Sequence, residues 1–444
     1  MTYQEFKEAV VRIALEKQIS DYELYYTEST GTSVEIFKEE IKSYQTENNM
    51  GICFRCVVEG KAGYASTENL TEEEAGFLVE RALENAKSIE SEEQCFLYKK
   101  GDEYAECGEN KTSAPTGAEL ADTAMKIQKA MYKADARVVD GTQTGVGYEV
   151  KKYAIFNSNG LDLEDQVQYA SCFATALASD GKEMYNSGKS KVGNLQDFDL
   201  NKFAEDVVED AVATIGAESV DSGKYAVVLS NQVMATLLAA YGGVFSAEDA
   251  QKGLSLLQGK EGEQIAADFI TITDDPLYEG SVMKRTFDGE GVATYRKNVV
   301  EHGKLVTLLH NLKTAAAAGV KSTGNASKAS YSSVVGVSPF IFYLRPMEGT
   351  KEELFALAEE GIYVTDISGL HAGANPITGD FSLLSQGFLI QQGKKAAPVK
   401  NFTMSGNFFT LLKEIEKVGE DLEFLNGKVG APSVLVRDIA VAGK

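Results

Sequence analysis

Met50-Gly-Ile-Cys-Phe-Arg-Cys-Val-Val58, then Glu59-Gly60, then Lys61-Ala-Gly-Tyr-Ala-Ser66 reads as two strands joined by a tight turn. β-Branched and aromatic residues fill both runs, and Gly60 supplies the break between them. On the N-terminal side, Asp21–Tyr26 and Ser33–Gln45 also read as strands, with clear alternation in Ser33-Val-Glu-Ile-Phe-Lys38. An amphipathic helix precedes them at about Tyr3–Lys17, its apolar face built from Phe6, Val10, Ile13 and Ala14. On the C-terminal side lies a second helix. Thr71-Glu-Glu-Glu74 has the hydroxyl and carboxylate of a capping box, and Leu78, Ala82, Leu83 and Ala86 form its buried stripe.

This helix–meander–helix order occurs twice. A helix over Gly117–Lys133 is followed by strands at Gly145–Asn157, Asp162–Leu177 and Glu183–Lys189, and by a helix over Leu200–Ile215. Asn159-Gly160 and Asp180-Gly181 mark the hairpin turns. The polar, turn-rich stretch Ile89–Pro115 reads as a linker. From Ser222 the texture changes. A short strand, Lys224–Ser230, leads into a helix capped by Asn231 and running to Tyr241, and Ser246–Gln258 reads as helical again. Beyond Ala267 the chain is strand-rich, with short helices near Leu312–Ala318, Lys351–Glu359 and Ser405–Lys417. The expected class is α+β. Two duplicated units, 1–110 and 111–220, place their strands in one or two antiparallel sheets, and a strand-rich domain fills 221–444.

Forty-three Lys and Arg against 66 Asp and Glu give a net charge of −23. That field repels phosphate backbones and anionic lipid, so neither nucleic acid nor membrane is an expected direct partner. No apolar run is long enough to span a bilayer. Met1-Thr-Tyr-Gln-Glu-Phe-Lys-Glu8 lacks the basic and apolar segments of a signal peptide. Five sparse cysteines, 53, 56, 95, 107 and 172, fit reduced thiols and a cytoplasmic location. Cys53-Phe-Arg-Cys56 has C-x-x-C spacing, but within a strand residues three apart face opposite sides, which predicts two packed thiols.

Histidine is scarce: His302, His310 and His371, with no two at a metal-binding spacing. His302 falls on a predicted hairpin tip, and His310 ends a strand before a helix, where a structural hydrogen bond is expected. His371 lies in Gly369-Leu-His-Ala-Gly-Ala-Asn-Pro-Ile-Thr-Gly-Asp-Phe-Ser382, a sharply bent loop. Two readings stand for it: a structural turn, or the wall of a substrate or partner cleft. Ser382 or Ser385 with His371 and Asp380 makes a triad on paper, without a G-x-S-x-G elbow. Asp221-Ser-Gly223 resembles half of an aspartic-protease signature whose second copy is absent. Asp274, Asp275 and Glu301 have no further ligands at metal spacing.

An ordered set of segments resembles the TldD/PmbA family, historically called modulators of DNA gyrase. The set comprises Gly60–Thr67, Phe287-Asp-Gly-Glu-Gly-Val-Ala-Thr294, Ser322-Thr-Gly-Asn-Ala326, the Gly369–Ser382 loop, Gly387–Lys394, Pro398–Thr403 and Gly430–Val436. It covers nearly the whole chain. In the TldD branch the resemblance implies an H-E-x-x-x-H helix and a C-terminal cysteine that bind zinc, with the Glu as general base. The matching positions here are Ala239, Ala240 and Val244, with Asn426 at the cysteine position. The chain thus resembles the metal-free PmbA branch, also called TldE.

The resemblance implies a subunit without catalytic residues or a cofactor of its own. Zinc is then expected in a TldD-type paralogue that pairs with it in a cytoplasmic peptidase. Peptides and unfolded segments are the implied substrates, and a homodimer can use the same surface. His371, Gly373, Asn375, Asp380 and Asn325 are the candidate cleft-lining residues. Two rival readings are an autonomous hydrolase with its site near His371 and a chaperone-like peptide holder.

Overall fold

Thr2 opens helix α1 (Tyr3–Glu16) with a reciprocal cap: its hydroxyl accepts from the Glu5 N–H, and the Glu5 carboxylate accepts from the Thr2 N–H. Strands β1 (Asp21–Phe37), β2 (Glu40–Val58) and β3 (Lys61–Thr67) form an antiparallel meander, and α2 (Glu72–Ser88), capped by Thr71, closes the unit. Thr116 and Glu119 repeat the reciprocal cap at α3 (Gly117–Ala134). Then β4 (Gln143–Asn157), β5 (Asp162–Ser179), β6 (Met184–Gly193) and α4 (Leu200–Ala213) repeat the order. This computed structural model describes residues 1–90, 95, 97–106 and 113–444. Part of the expected linker, and Cys107, lie outside the described residues.

The two units share a single six-stranded antiparallel sheet, ordered β3-β2-β1-β4-β5-β6. The central pairing, from Glu23↔Asn157 to Phe37↔Gln143, welds one unit to the other. One face carries the four helices over two apolar cores, around Phe6, Phe54 and Leu78 and around Leu120, Ile127 and Val207. The opposite face carries Glu23, Tyr25, Cys53 and Arg55, and here Tyr25 and Ile155 pack on Phe287 of the third region.

The first meander differs from expectation. Asp21–Tyr26 and Ser33–Gln45 are not separate strands: β1 runs unbroken for 17 residues, and the chain reverses inside the expected second strand. Lys38 and Glu39 make the turn at φ of 53° and 57°, a left-handed pair usually announced by Asn-Gly. Buried Gln128 holds it from outside the hairpin. Its Oε1 accepts from the Glu39 N–H, and its Nε2 donates to the carbonyls of Ile36 and Thr142.

The third region begins with β7 (Gly223–Leu229), α5 (Asn231–Ala240), α6 (Ala247–Gln251), β8 (Ile272–Asp274), β9 (Lys297–Glu301), β10 (Lys304–Leu305) and α7 (Leu312–Ala318). It continues through β11 (Ala326–Ser327), β12 (Gly336–Val337), β13 (Phe342–Leu344), α8 (Lys351–Ala358), β14 (Gly361–Ser368), α9 (Leu370–Gly373), β15 (Asp380–Gln391) and β16 (Lys394–Asn407). It ends with α10 (Phe408–Glu414), β17 (Ile415–Val418), β18 (Glu423–Leu425), β19 (Val429–Ala431) and β20 (Val434–Ala442). One mixed sheet runs β16-β15-β14-β7-β20-β17, and a further β16–β20 pairing closes it into a ring. A second runs β10-β9-β8-β13-β19-β18. The largest core, including Leu237, Phe245, Phe342 and Phe402, lies between them.

Three local expectations are corrected. Ser230, not Asn231, caps α5: its hydroxyl accepts from the Val233 N–H at 3.2 Å. Only Ala247–Gln251 of the expected Ser246–Gln258 helix is helical, because Gly253 turns left-handed at φ 73° and Ser255 bonds back to the Val244 carbonyl. Within Ser405–Lys417 the helix is confined to α10, with β16 and β17 taking the ends. Among the described residues no helix is long and apolar enough to cross a membrane.

Candidate functional site

α5 is a buried helix with Val233, Met234, Leu237 and Leu238 inside the core, packed against β14, β18 and β19. It stops at Ala240. Tyr241 follows, and Gly242–Phe245 makes a single tighter turn. Ala239 is exposed, Ala240 half-buried and Val244 fully buried. Asn426 is exposed at the β18–β19 turn, at φ 49°, and its Oδ1 accepts from the Ser190 hydroxyl at 3.4 Å. These four side chains offer two methyl groups, an isopropyl group and an amide. A zinc ion needs imidazole, thiolate or carboxylate donors, so the residues present do not fit one. Among the described residues no three His, Cys, Asp or Glu side chains converge where a metal ion could be held.

The Gly369–Ser382 loop meets the end of this helix. The Tyr241 hydroxyl donates to the Asp380 carbonyl at 2.8 Å, and the Tyr241 ring stacks on Phe408 with centroids 4.6 Å apart. Burial pushes the Tyr241 hydroxyl up to about 12, so it stays a donor at neutral pH. Gly369, at φ 85°, turns the chain into α9. Gly373 is required by closeness, since a Cβ there would sit 2.2 Å from the Ser382 carbonyl oxygen. The Asn375 Oδ1 accepts from the N–H groups of Ile377 and Thr378, and its own N–H donates to the Asp380 carbonyl. The Asp380 carboxylate accepts from Asn407 Nδ2 at 2.9 Å, and that bond, with Thr378, holds it below its ordinary value.

Gly373, Asn375 and Asp380 thus form one braced loop, with His371 exposed on α9 beside them. Among the described residues no hydrogen bond joins His371 to Asp380, Ser382 or Ser385; Ser382 instead accepts from Ser405 at 3.1 Å. Asn325 belongs elsewhere. It is fully buried, donates to Asp274 at 2.7 Å and accepts from Lys297 at 3.1 Å, while Lys297 also meets Asp274 at 3.0 Å. This closed triad ties β8 to β9 and shares no bond with the loop. His302 lies at the β9–β10 tip at φ 48°, and buried His310 contacts Thr314 Oγ1 at 3.2 Å through Nδ1. Burial pushes the His310 imidazole down.

A buried ionic cluster joins the N-terminal sheet to the third region. Arg55 donates to Glu23 across the β1–β2 register at 3.0 Å and lies 3.6 Å from Glu290. Glu290 also accepts the Leu312 N–H at the start of α7. Asp288 accepts from the N–H groups of Glu290, Val292 and Ala326. Burial and the Glu290 carboxylate push Asp288 up to about 7, against the pull of those donors. Burial likewise raises Glu290. The Phe287–Thr294 segment therefore docks the two regions. The signal for this in the sequence was Arg55 within an otherwise apolar strand, a charge that needs a buried partner. Cys53 and Cys56 are both buried on opposite faces of β2, and burial raises both thiols, Cys56 to about 11.

Three family models match in succession. They are the PmbA/TldA metallopeptidase domain 1 over residues 22–86, the central domain over 110–215 and the C-terminal domain over 222–443. An uncharacterised protein of Methanocaldococcus jannaschii is 30% identical over 431 residues, covering 97% of this chain and 98% of its own. The metalloprotease PmbA of Escherichia coli O157:H7 is 23% identical, covering 95% of this chain and 92% of its own. A solved structure from Thermotoga maritima, described as a modulator of a DNA gyrase, superimposes with a TM-score of 0.91 at 32% identity, covering 99% of this chain and all of that one. TldE from Thermococcus kodakarensis shares the fold at a TM-score of 0.90 and 21% identity, over 99% of this chain and all of that one. With the three domain models laid in order over one continuous fold, the chain belongs to the TldD/PmbA family of metallopeptidase-like proteins.

Proposed function

We propose that this chain is the PmbA/TldE-like, non-catalytic subunit of a cytoplasmic peptidase complex whose zinc lies in a TldD-type partner. The observation that carries this reading is the end of α5. The family resemblance sets Ala239, Ala240 and Val244 at the positions of the zinc motif and Asn426 at that of the cysteine, and none of the four carries an imidazole, thiolate or carboxylate, while Tyr241 ties the end of the helix to the bent loop. Side chains that lack imidazole, thiolate and carboxylate donors offer no hold for a zinc ion that could activate a water there. The subunit's role is then to shape the chamber and hold substrate.

Open strand edges support that role. β3 covers only Ile52–Val58 of β2, and β6 covers only Ala170–Ser179 of β5. Glu40–Gly51 and Asp162–Tyr169 therefore pair on one side only within the sheet. An extended peptide can add to such an edge through backbone hydrogen bonds, which tolerate many sequences. The net charge of −23 favours neutral or basic peptides. The test is an unfolded-peptide assay with the chain alone and with a TldD-type partner, each with and without chelator. Hydrolysis requires the partner and is lost with chelator. Activity of the chain alone, insensitive to chelator, supports the autonomous hydrolase instead. Peptide binding without hydrolysis in any mixture supports the chaperone-like holder.

A further inference from the structure

A cleft of about 690 Å³ opens at the N-terminal end of α5, the end away from Ala239 and Ala240. Its size is that of a small-ligand or peptide-end site. The walls come from both halves of the molecule: β6 and α4 on one side, and the first turns of α5 and α8 with β14, β15 and β16 on the other. Phe355, Tyr363 and Phe388 line it as one aromatic group, with Phe355 and Tyr363 edge to face at 5.0 Å.

The charge of this cleft is unlike that of the chain. Four lysines line it, against three carboxylates, in a protein of net charge −23. Two of the lysines are committed: Lys189 pairs with Asp210 at 2.9 Å, and Lys351 lies 3.7 Å from Asp421. The other two, Lys394 and Lys395, have no carboxylate partner among the described residues. Lys395 lies over the Phe388 ring at 3.8 Å, which brings its ammonium to the aromatic wall. Lys394 follows Gly393, whose φ of 72° makes the β15–β16 turn, and both lysines line the cleft.

We infer that this cleft binds the C-terminal end of a peptide, its α-carboxylate on Lys394 and Lys395 and an apolar last side chain against Phe355, Tyr363 and Phe388. A single carboxylate matches two ammonium groups that have no carboxylate partner among the described residues. A polyphosphate does not, because Asp210, Glu352 and Glu423 share the cleft and would repel added negative charge. The inference rests on the proposed role in holding peptide substrate and names the end of the peptide that is held.

The test is calorimetric titration of the full chain, without a partner subunit, with three probes: an N-acetylated tetrapeptide ending in phenylalanine, the same peptide as its C-terminal amide, and inorganic phosphate. The free acid binds, the amide binds at least about tenfold more weakly, and phosphate at the same concentration does not displace the acid. Lys394→Gln and Lys395→Gln each weaken the acid by about tenfold, the worth of one charge-assisted bond. The Arg variants at the same positions retain binding. Both side chains are exposed, so these variants keep the fold, which thermal melting checks. Equal binding of acid and amide, displacement by phosphate, unchanged affinity in the Gln variants or no binding of the acid would each overturn the inference. Because no hydrolysis is read, these results are separate from those of the partner-dependent assay.

Discussion

The Tyr241 hydroxyl donates to the Asp380 carbonyl at 2.8 Å, so the residue that ends α5 also anchors the Gly369–Ser382 loop. Positions 239, 240 and 244 and the bent loop are thereby one structural unit. Tyr241→Phe keeps the ring stacked on Phe408 and removes only the hydroxyl. It is expected to lower unfolding stability by about 0.5–1.5 kcal/mol in urea titration. Amide hydrogen exchange over residues 375–380 should speed up more than exchange in the strands. Unchanged exchange there would show that the bond does not hold the loop.

Gly373 faces the Ser382 carbonyl with no room for a methyl group. Gly373→Ala must displace α9 from β15. The expected cost is about 1–3 kcal/mol by chemical denaturation, in line with other overpacked sites. Gly216→Ala makes no such contact but sits at φ 77°, so it would report backbone strain alone. A Gly373→Ala chain as stable as the parent would mean that the loop gives way freely.

Arg55 is 2% exposed, between Glu23 and Glu290. Arg55→Met takes the paired cation from two buried carboxylates and leaves only buried Lys328 near them, and about 3–5 kcal/mol of stability should be lost. Adding Glu23→Gln and Glu290→Gln should recover part of that loss, since the uncompensated charge is then removed as well. Additive losses across the three substitutions would contradict charge pairing as the cause.

Asp288 gives a pH dependence of defined sign. Its folded value of about 7 lies above the ordinary value of 3.8, so the folded chain holds this proton more tightly than the unfolded chain. The stability it contributes is full below about pH 4 and is lost as pH rises through about 7. The urea midpoint of the parent minus that of Asp288→Asn should therefore fall between pH 4 and 7. A difference that is flat or rises with pH would refute the assignment.

The second unit was legible because its turns carry Asn159-Gly160 and Asp180-Gly181, whose backbone preference is local. The first hairpin was not, because Lys38 and Glu39 hold a left-handed turn only with help from Gln128, some ninety residues away. Ser246–Gln258 shares its composition with true helices, and Gly253 together with the Ser255 bond to the Val244 carbonyl ends α6 early. For the site, the bent loop could be read from residue types. Its link to α5 could not, because a tyrosine bonded to a backbone carbonyl leaves no mark on the sequence. Asn325 was grouped with the loop on its family segment, and the fold places it in the Asp274–Lys297 triad instead.

The proposed division of labour is a scaffold in this chain and metal chemistry in its partner. It is decided by hydrolysis of an unfolded peptide by the purified chain, alone and with a TldD-type subunit, with bound zinc determined in parallel. The expected result is no hydrolysis and no stoichiometric zinc for the chain alone, and chelator-sensitive hydrolysis for the pair. Hydrolysis by the chain alone, or one zinc per chain, would contradict it.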